Sequence, residues 1–311
     1  MINVVYFGTP EFSTYFLKAL HADEDIFVSG LITQPDKPVG RGKIMTPSST
    51  KLFAQKHDIP VFEPTKLKDP NFINEIKKLN ADFFVIVAYG KIIPQEILDL
   101  SKSGNINVHP SLLPKYRGPS PVQAAIAAGD TETGVSIMLI DAKMDHGPVL
   151  MQKTMTIDHN DDTNSMLRKA VDLGTPMLIK SIKKLYKDDI TPKEQNHDKA
   201  TFCKMIKKED GRINWSESAE IIEAKSRAYQ PWPGMFTIWS DKTLKLNSII
   251  IASEAKQSLA PGEVKINDNR LLIGTSTNPI EILEIQPEGK QKMPAAAFIQ
   301  GYSNIDGTRL N

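Results

Sequence analysis

After Asp82, the stretch DFFVIVAY at 82–89 is apolar at every position, with no alternation. A strand of that kind must be covered on both faces, which a parallel sheet flanked by helices provides. It is one of a series. INVVYF at 2–7 and residues 27–33, 106–109 and 135–140 read as further strands, with a brief one at 61–62. Between them runs helical periodicity: Phe12, Phe16, Leu17 and Leu20 after the first strand, then residues 49–57, 71–79 and 121–128. Alternating strand and helix predicts an α/β fold with an open, mostly parallel sheet. Thr9-Pro10-Glu11 offers the first helix an N-cap, a first-position proline and an early acid. Residues 34–50 read as loop because of Pro35, Pro38, Gly40, Gly42 and Pro47. Residues 149–157 alternate like a paired edge strand, and 163–187 form a long amphipathic helix.

A chain of 311 residues predicts two domains. Composition shifts at 188–212, which is polar and poorly periodic. The expected division is a catalytic domain at 1–188, a linker at 189–208 and a second domain at 209–311. The second part opens with a helix at 218–229. Short strand candidates follow at 236–239, 244–252, 263–266, 271–274 and 280–285, the pattern of a small β-barrel. Cys203 is the single cysteine. It excludes a disulfide framework, argues against a cysteine metal site and suits a reducing compartment. No motif surrounds it, so it reads as incidental rather than as a nucleophile. The N-terminus lacks the basic-then-apolar pattern of a signal peptide. No run approaches the roughly 18 apolar residues a spanning helix requires. The expectation is a soluble, cytoplasmic protein. A net charge of +1 gives no bulk bias toward acidic or basic partners.

Chemistry concentrates in GNINVHPSLLPKYRGPSP at 104–121. Asn107 and His109 are two apart, so on a strand they face the same side. At the carboxyl end of a parallel strand they would point into the crevice where open α/β sheets bind ligands. Pro110, Pro114, Pro119 and Pro121 stiffen the loop that follows, which can then hold backbone groups in place for a planar heterocycle. Another apolar strand ends in the loop from Asp141 to Gly147, expected to bring the Asp145 carboxylate to the same edge of the sheet. Amide, imidazole and carboxylate suit acyl or formyl transfer: imidazole relays the amine's proton, an Asn N–H holds the oxyanion, and the acid supports the imidazolium. No metal or covalent nucleophile is required. Taken singly, Asn-x-His is also a common structural strand end, Asp145 a turn residue and HPSLLP a proline-ordered turn.

NINVHPSLLPKYRGPSPVQAAI followed by GDTETGVSIMLIDAKMDHGPVL resembles the signature of the folate-dependent formyltransferases. FGTPEFS at 7–13, TQPDKPVGRGK at 33–43, VAYGKIIP at 87–94 and QPWPGMF at 230–236 resemble their methionyl-tRNA branch. The resemblance covers nearly the whole chain, in the family's order. It implies a Rossmann-like formyltransferase fold with a C-terminal OB-like barrel. The reaction it implies passes a formyl group from 10-formyltetrahydrofolate to the amino group of methionyl initiator tRNA. Asn107, His109 and Asp145 match the family's catalytic trio, and Ser111, Leu112, Leu113 and Pro114 its folate-contacting segment. Tyr89 and Gly90 fall where the pterin pocket has backbone contacts. Pro110 stands where many members have Ala, and His146 where many have Thr. His146 adds a second imidazole beside the site, though the N-x-H spacing favours His109.

For the tRNA, the glycine- and proline-rich stretch 34–51 holds Lys37, Arg41, Lys43 and Lys51 against Asp36. The resemblance makes it an arm that enters the acceptor end, with Arg41 in the place of the family's arginine. Lys204, Lys207, Lys208 and Lys292 are candidate phosphate contacts of the second domain, while Trp232 reads as a hinge or core anchor. No obligate protein partner is inferred. Rival readings are a formyltetrahydrofolate hydrolase, a small-amine formyltransferase and an inactive RNA-binding relative. A small acceptor needs neither the basic loop nor the β-rich tail, and the intact trio argues against the inactive relative. Gly8-Thr-Pro after the first strand is no G-x-G-x-x-G, which sets aside a nicotinamide dehydrogenase.

Overall fold

In the computed structural model, β1 (Ile2–Gly8) leads into α1 (Glu11–Ala22) and β2 (Ile26–Ile32). All residues except Arg41 and 253–258 are described. Next come the short strands β3 (Lys37–Val39) and β4 (Ile44–Thr46), α2 (Ser49–Lys56), β5 (Val61–Phe62), α3 (Pro70–Lys78) and β6 (Phe83–Val87). Then follow α4 (Gln95–Leu98), β7 (Asn105–His109), α5 (Pro121–Ala127), β8 (Glu132–Leu139), β9 (Val149–Thr156) and α6 (Thr163–Tyr186). Two compact units result: one from residues 1–121, 132–156 and 167–203, the other from 122–131, 157–166 and 204–311.

Among the described residues, seven strands of the first unit form one sheet in the order β5-β2-β1-β6-β7-β8-β9. The five from β5 to β7 are parallel. One face packs Val4, Tyr6, Phe83, Val85, Ile106 and Val108 against Phe16, Leu17 and Leu20 of α1 and Ala170, Met177 and Ile182 of α6. The other packs Val5, Phe7, Phe84 and Ile86 against Phe72 and Ile76 of α3 and Ile97 of α4. The unbroken apolar run of β6 is thus covered on both sides. Each such side chain contributes roughly 1.5–3 kcal/mol by leaving water.

Three expectations need correction. β8 runs antiparallel to β7, with His109 opposite Ser136 and Ile106 opposite Leu139. Its C-terminal tip therefore lies beside the start of β7, and Ile140 N–H donates to the Asn105 carbonyl. Strand direction is not encoded in apolar periodicity, so the expected shared edge for both tips does not follow from it. Residues 34–50 are not wholly irregular: β3 and β4 pair as an antiparallel hairpin. Pro10, not Thr9, occupies the N-cap of α1, with no side-chain cap. The Thr9 hydroxyl instead accepts the Gln34 N–H at 3.3 Å.

The polar stretch 189–208, expected as a linker, is pinned to the first unit over much of its length. Lys193 exchanges backbone bonds with Val149, and Thr201 N–H donates to the Pro114 carbonyl. Arg117 N–H donates to Thr201, and Cys203 N–H to the Arg117 carbonyl. Gln195 is buried.

The second unit contains α7 (Ala219–Ala228), β10 (Met235–Trp239), β11 (Lys242–Ile251), β12 (Val264–Asn267), β13 (Arg270–Ile273), β14 (Ile280–Pro287), β15 (Met293–Pro294) and α8 (Ala295–Gly301). The strands make an antiparallel sheet in the order β10-β11-β14-β13-β12, with β15 beside β14. Register shifts near Ser248 bend the long β11–β14 pair into a curled half-barrel. Trp215 is buried, its indole N–H donating to Thr237 Oγ1 at 3.2 Å. Trp232, expected as an anchor, is 57% exposed. Lys204 pairs with Asp210, and Lys292 with Glu284.

Candidate active site

Because Ile106 and Val108 of β7 face the α1/α6 layer, strand alternation turns Asn107 and His109 to the opposite face. His109 is buried at the strand end, and its Nε2 lies 2.9 Å from the Tyr116 carbonyl oxygen. A carbonyl only accepts, so the neutral ring carries its proton on Nε2. The lone pair on Nδ1 then faces the Asp145 carboxylate, with Oδ2 at 3.7 Å. That separation is too long for a hydrogen bond but short enough for the acid to stabilise an imidazolium. The same Oδ2 accepts the Gly118 N–H at 2.7 Å. Among the described residues, the Asn107 carboxamide has no hydrogen-bond partner, which leaves it available to a ligand.

Since the tip of β8 lies at the other end of β7, Asp145 reaches His109 through the return loop that precedes β9. Asp145 adopts a left-handed backbone (φ 49°), as does Tyr116 (φ 59°). Such conformations persist when the surroundings hold them. At Gly118 (φ 119°), an added Cβ would lie 2.2 Å from the Cys203 carbonyl oxygen, so only glycine fits against the 193–203 strap.

The turn after His109 is held from beneath by a residue the sequence reading did not single out. The buried Ser136 hydroxyl donates to the Ser111 carbonyl at 2.6 Å and accepts the Leu113 N–H at 3.2 Å. Gln152 Nε2 donates to that hydroxyl and to the Leu113 carbonyl. Ser111 Oγ donates to the Lys115 carbonyl at 2.6 Å, and Lys115 N–H to that of Leu112. The Leu112 side chain lies over Gly134, where an added Cβ would meet its Cδ2 at 2.4 Å. The Leu113–Pro114 bond is cis. The hydrogen bonds from Ser136 and Gln152 fix the Ser111–Pro114 turn to its neighbouring strands.

Tyr89 and Gly90 lie just after β6. The Tyr89 ring is core, edge-on to Phe7 at 5.5 Å, and its buried hydroxyl has no partner among the described residues. Burial pushes its phenol up to about 12. The Tyr89 carbonyl accepts Gln34 Nε2 at 2.7 Å. Gly90 (φ 79°) leaves room for that amide, which an added Cβ would approach to 2.7 Å. Lys37 Nζ donates to Gln34 Oε1 at 2.6 Å, which couples the hairpin base to this segment. Lys51 bridges Asp36 and Glu63, whose hydrogen bonds hold its ammonium above the ordinary value. Lys43 sits exposed in the hairpin turn, and Ile44 and Met45 are exposed beside it. Arg41 lies outside the described residues.

His146 pairs with the Asp141 carboxylate. Its Nδ1 is 2.6 Å from Asp141 Oδ2, and its ring stacks on His197 at 3.9 Å. Burial pushes the Cys203 thiol up, against a role as nucleophile. Among the described residues no His/Cys/Asp/Glu cluster could hold a metal ion.

An amide, an imidazole and a carboxylate carried by an α/β sheet suit an acyl-transfer enzyme, and the family comparisons specify the acyl group. Residues 2–182 match the model described as formyl transferase, and 205–303 match that of the formyl transferase C-terminal domain. A methionyl-tRNA formyltransferase of Thermodesulfovibrio yellowstonii is 42% identical over 98% of this chain and 97% of its own. Those of Roseiflexus castenholzii and Caldicellulosiruptor saccharolyticus are each 39% identical, over 99% and 100% of both chains. The chain belongs to the methionyl-tRNA formyltransferase family. Among solved structures, the sugar 3N-formyl transferase WlaRD shares the fold at TM-score 0.67 and 19% identity, over 94% of this chain and 99% of its own. HypX from Aquifex aeolicus, solved with tetrahydrofolic acid, aligns at TM-score 0.61 and 17% identity, over 96% of this chain and 47% of its own.

Proposed function

We propose that the chain transfers the formyl group of 10-formyltetrahydrofolate to the amino group of methionine on initiator tRNA, with Asn107, His109 and Asp145 as its catalytic residues. One observation carries the assignment: Nε2 of His109 is committed to a carbonyl, so Nδ1 is the free base, and it faces a carboxylate 3.7 Å away. As the neutral amine attacks the formyl carbon, Asn107 donates an N–H to the developing oxyanion, a contact worth about 3 kcal/mol. His109 Nδ1 takes the proton the amine loses, and the Asp145 charge stabilises the imidazolium. When the bond from the formyl carbon to the folate nitrogen breaks, His109 returns that proton to the leaving nitrogen. The rigid Ser111–Pro114 turn offers backbone groups and the Leu112 side chain to the planar donor.

The acceptor end of the tRNA meets the hairpin of β3 and β4 through Lys37, Arg41 and Lys43. No helix among the described residues is long and apolar enough to cross a membrane. The cytoplasm, where initiator tRNA is charged, is the compartment this reading implies. The test is formyl transfer from labelled 10-formyltetrahydrofolate to charged initiator and elongator methionine tRNAs. Rapid formylation of the initiator species alone is expected. Release of free formate with no formylated tRNA would replace this reading with a hydrolase.

A further inference from the structure

Behind the Asp145 loop lies a polar cluster that the reaction outlined above does not use. Arg117 and Gln195 are both buried. Arg117 donates to Gln195 Oε1 from Nε at 3.1 Å and from Nη2 at 2.7 Å. Its Nη2 also lies 2.8 Å from His197 Nδ1. Gln195 Nε2 donates to the Asp145 carbonyl at 2.9 Å and to the Gly147 carbonyl at 2.7 Å.

The chemistry of these groups leaves one assignment. A guanidinium has only donors, so the side-chain atom facing it must be the oxygen of Gln195, and His197 must accept on Nδ1. Both amide protons of Gln195 are then aimed at the carbonyls that bracket the turn carrying the catalytic acid. A glutamine and an arginine this buried are retained against a desolvation cost that the observed hydrogen bonds offset. The turn they hold has little slack. Asp145 is left-handed, and a Cβ at Gly147 would lie 2.1 Å from the Leu139 carbonyl oxygen.

We propose that Gln195, aimed by Arg117, is a positioning residue for formyl transfer: it clamps the Asp145–Gly147 turn and sets the distance between the Asp145 carboxylate and His109. The proposal rests on the reading of Asp145 and His109 as catalytic. It places part of the active site's precision in the 193–203 strap, outside the signature segments.

Gln195→Glu keeps an acceptor for Arg117 but loses both N–H donors and sets an anion against two carbonyls. Gln195→Asn keeps the amide but is one methylene too short to span the clamp, and it serves if the first variant does not fold. In the folded variant, kcat should fall about ten- to hundredfold, with KM for donor and tRNA within about twofold of the parent. Combined with Asp145→Asn, the Gln195 change should add little further loss, because the group it positions is already gone.

A loss carried by KM with kcat unchanged, or losses that simply multiply in the double variant, would overturn the positioning role while leaving Asp145 in place. Near-parental turnover by Asp145→Asn alone would instead overturn the reading of the site, and the clamp's role with it.

Discussion

His109 has its base nitrogen chosen by a backbone carbonyl, not by another side chain. Because the Tyr116 carbonyl holds Nε2–H, His109→Ala removes both proton acceptor and proton donor. A fall in kcat of about 10²–10⁴ is expected, with the folded state retained. Asn107→Ala should cost about 10²–10³ through the lost oxyanion contact. Single-turnover formylation measures both, and near-normal rates in the two variants would sink the proposed roles. The single thiol provides an independent check. Burial pushes Cys203 up, so less thiolate is present at a given pH. Alkylation of the folded chain by iodoacetamide at pH 8, followed by mass spectrometry, should run slower than that of a small free thiol. Equal rates would mean that the Cys203 environment is more open than its packing against Gly118 and Tyr116 implies.

At the scale of elements, the site depends on a turn braced by the strand next to it. Ser136 on β8 satisfies Ser111, Leu113 and Gln152 at once. Ser136→Ala leaves those groups buried without it, at a cost of about 1–3 kcal/mol. Thermal unfolding should report the loss, and KM for the formyl donor should rise while that for tRNA stays level. An unchanged donor KM would separate the Ser111–Pro114 turn from donor binding. Neither Ser136 nor Gln152 carries a motif, and their importance comes from register: β8 places Ser136 opposite His109. Asn107 and His109 were legible because period-two alternation sets their facing without knowledge of neighbours. The direction of β8 was not, since a run of apolar residues reads identically in a parallel or an antiparallel pairing.

For the molecule as a whole, a net charge of +1 gives no broad positive field to draw in a polyanion. Binding of tRNA must then come from local contacts, with the hairpin of β3 and β4 the leading candidate. Arg41→Ala should raise KM for charged tRNA and leave that for the donor unaltered. It should also lower the slope of log KM against log salt by about one, the signature of one lost phosphate contact. A tRNA dependence identical to the parent would remove Arg41 from the interface. The exposed Ile44 and Met45 flank the same turn, so the hairpin presents apolar as well as charged groups.

By itself the sequence determined the alternation of strands and helices, the face on which Asn107 and His109 stand, the rigid turn after them and the family to which the motifs belong. All of these rest on local chemistry or spacing along one element. Only the tertiary structure decided how Asp145 arrives, by a left-handed loop returning from an antiparallel strand, and which nitrogen of His109 is free. It alone turned the polar stretch 193–203 into a strap that brings Gln195 to the Asp145 turn. The strap's contacts join residues 44 to 87 positions apart. No periodicity reports such distances, because they are set by pairing direction and by buried polar groups finding partners across the fold.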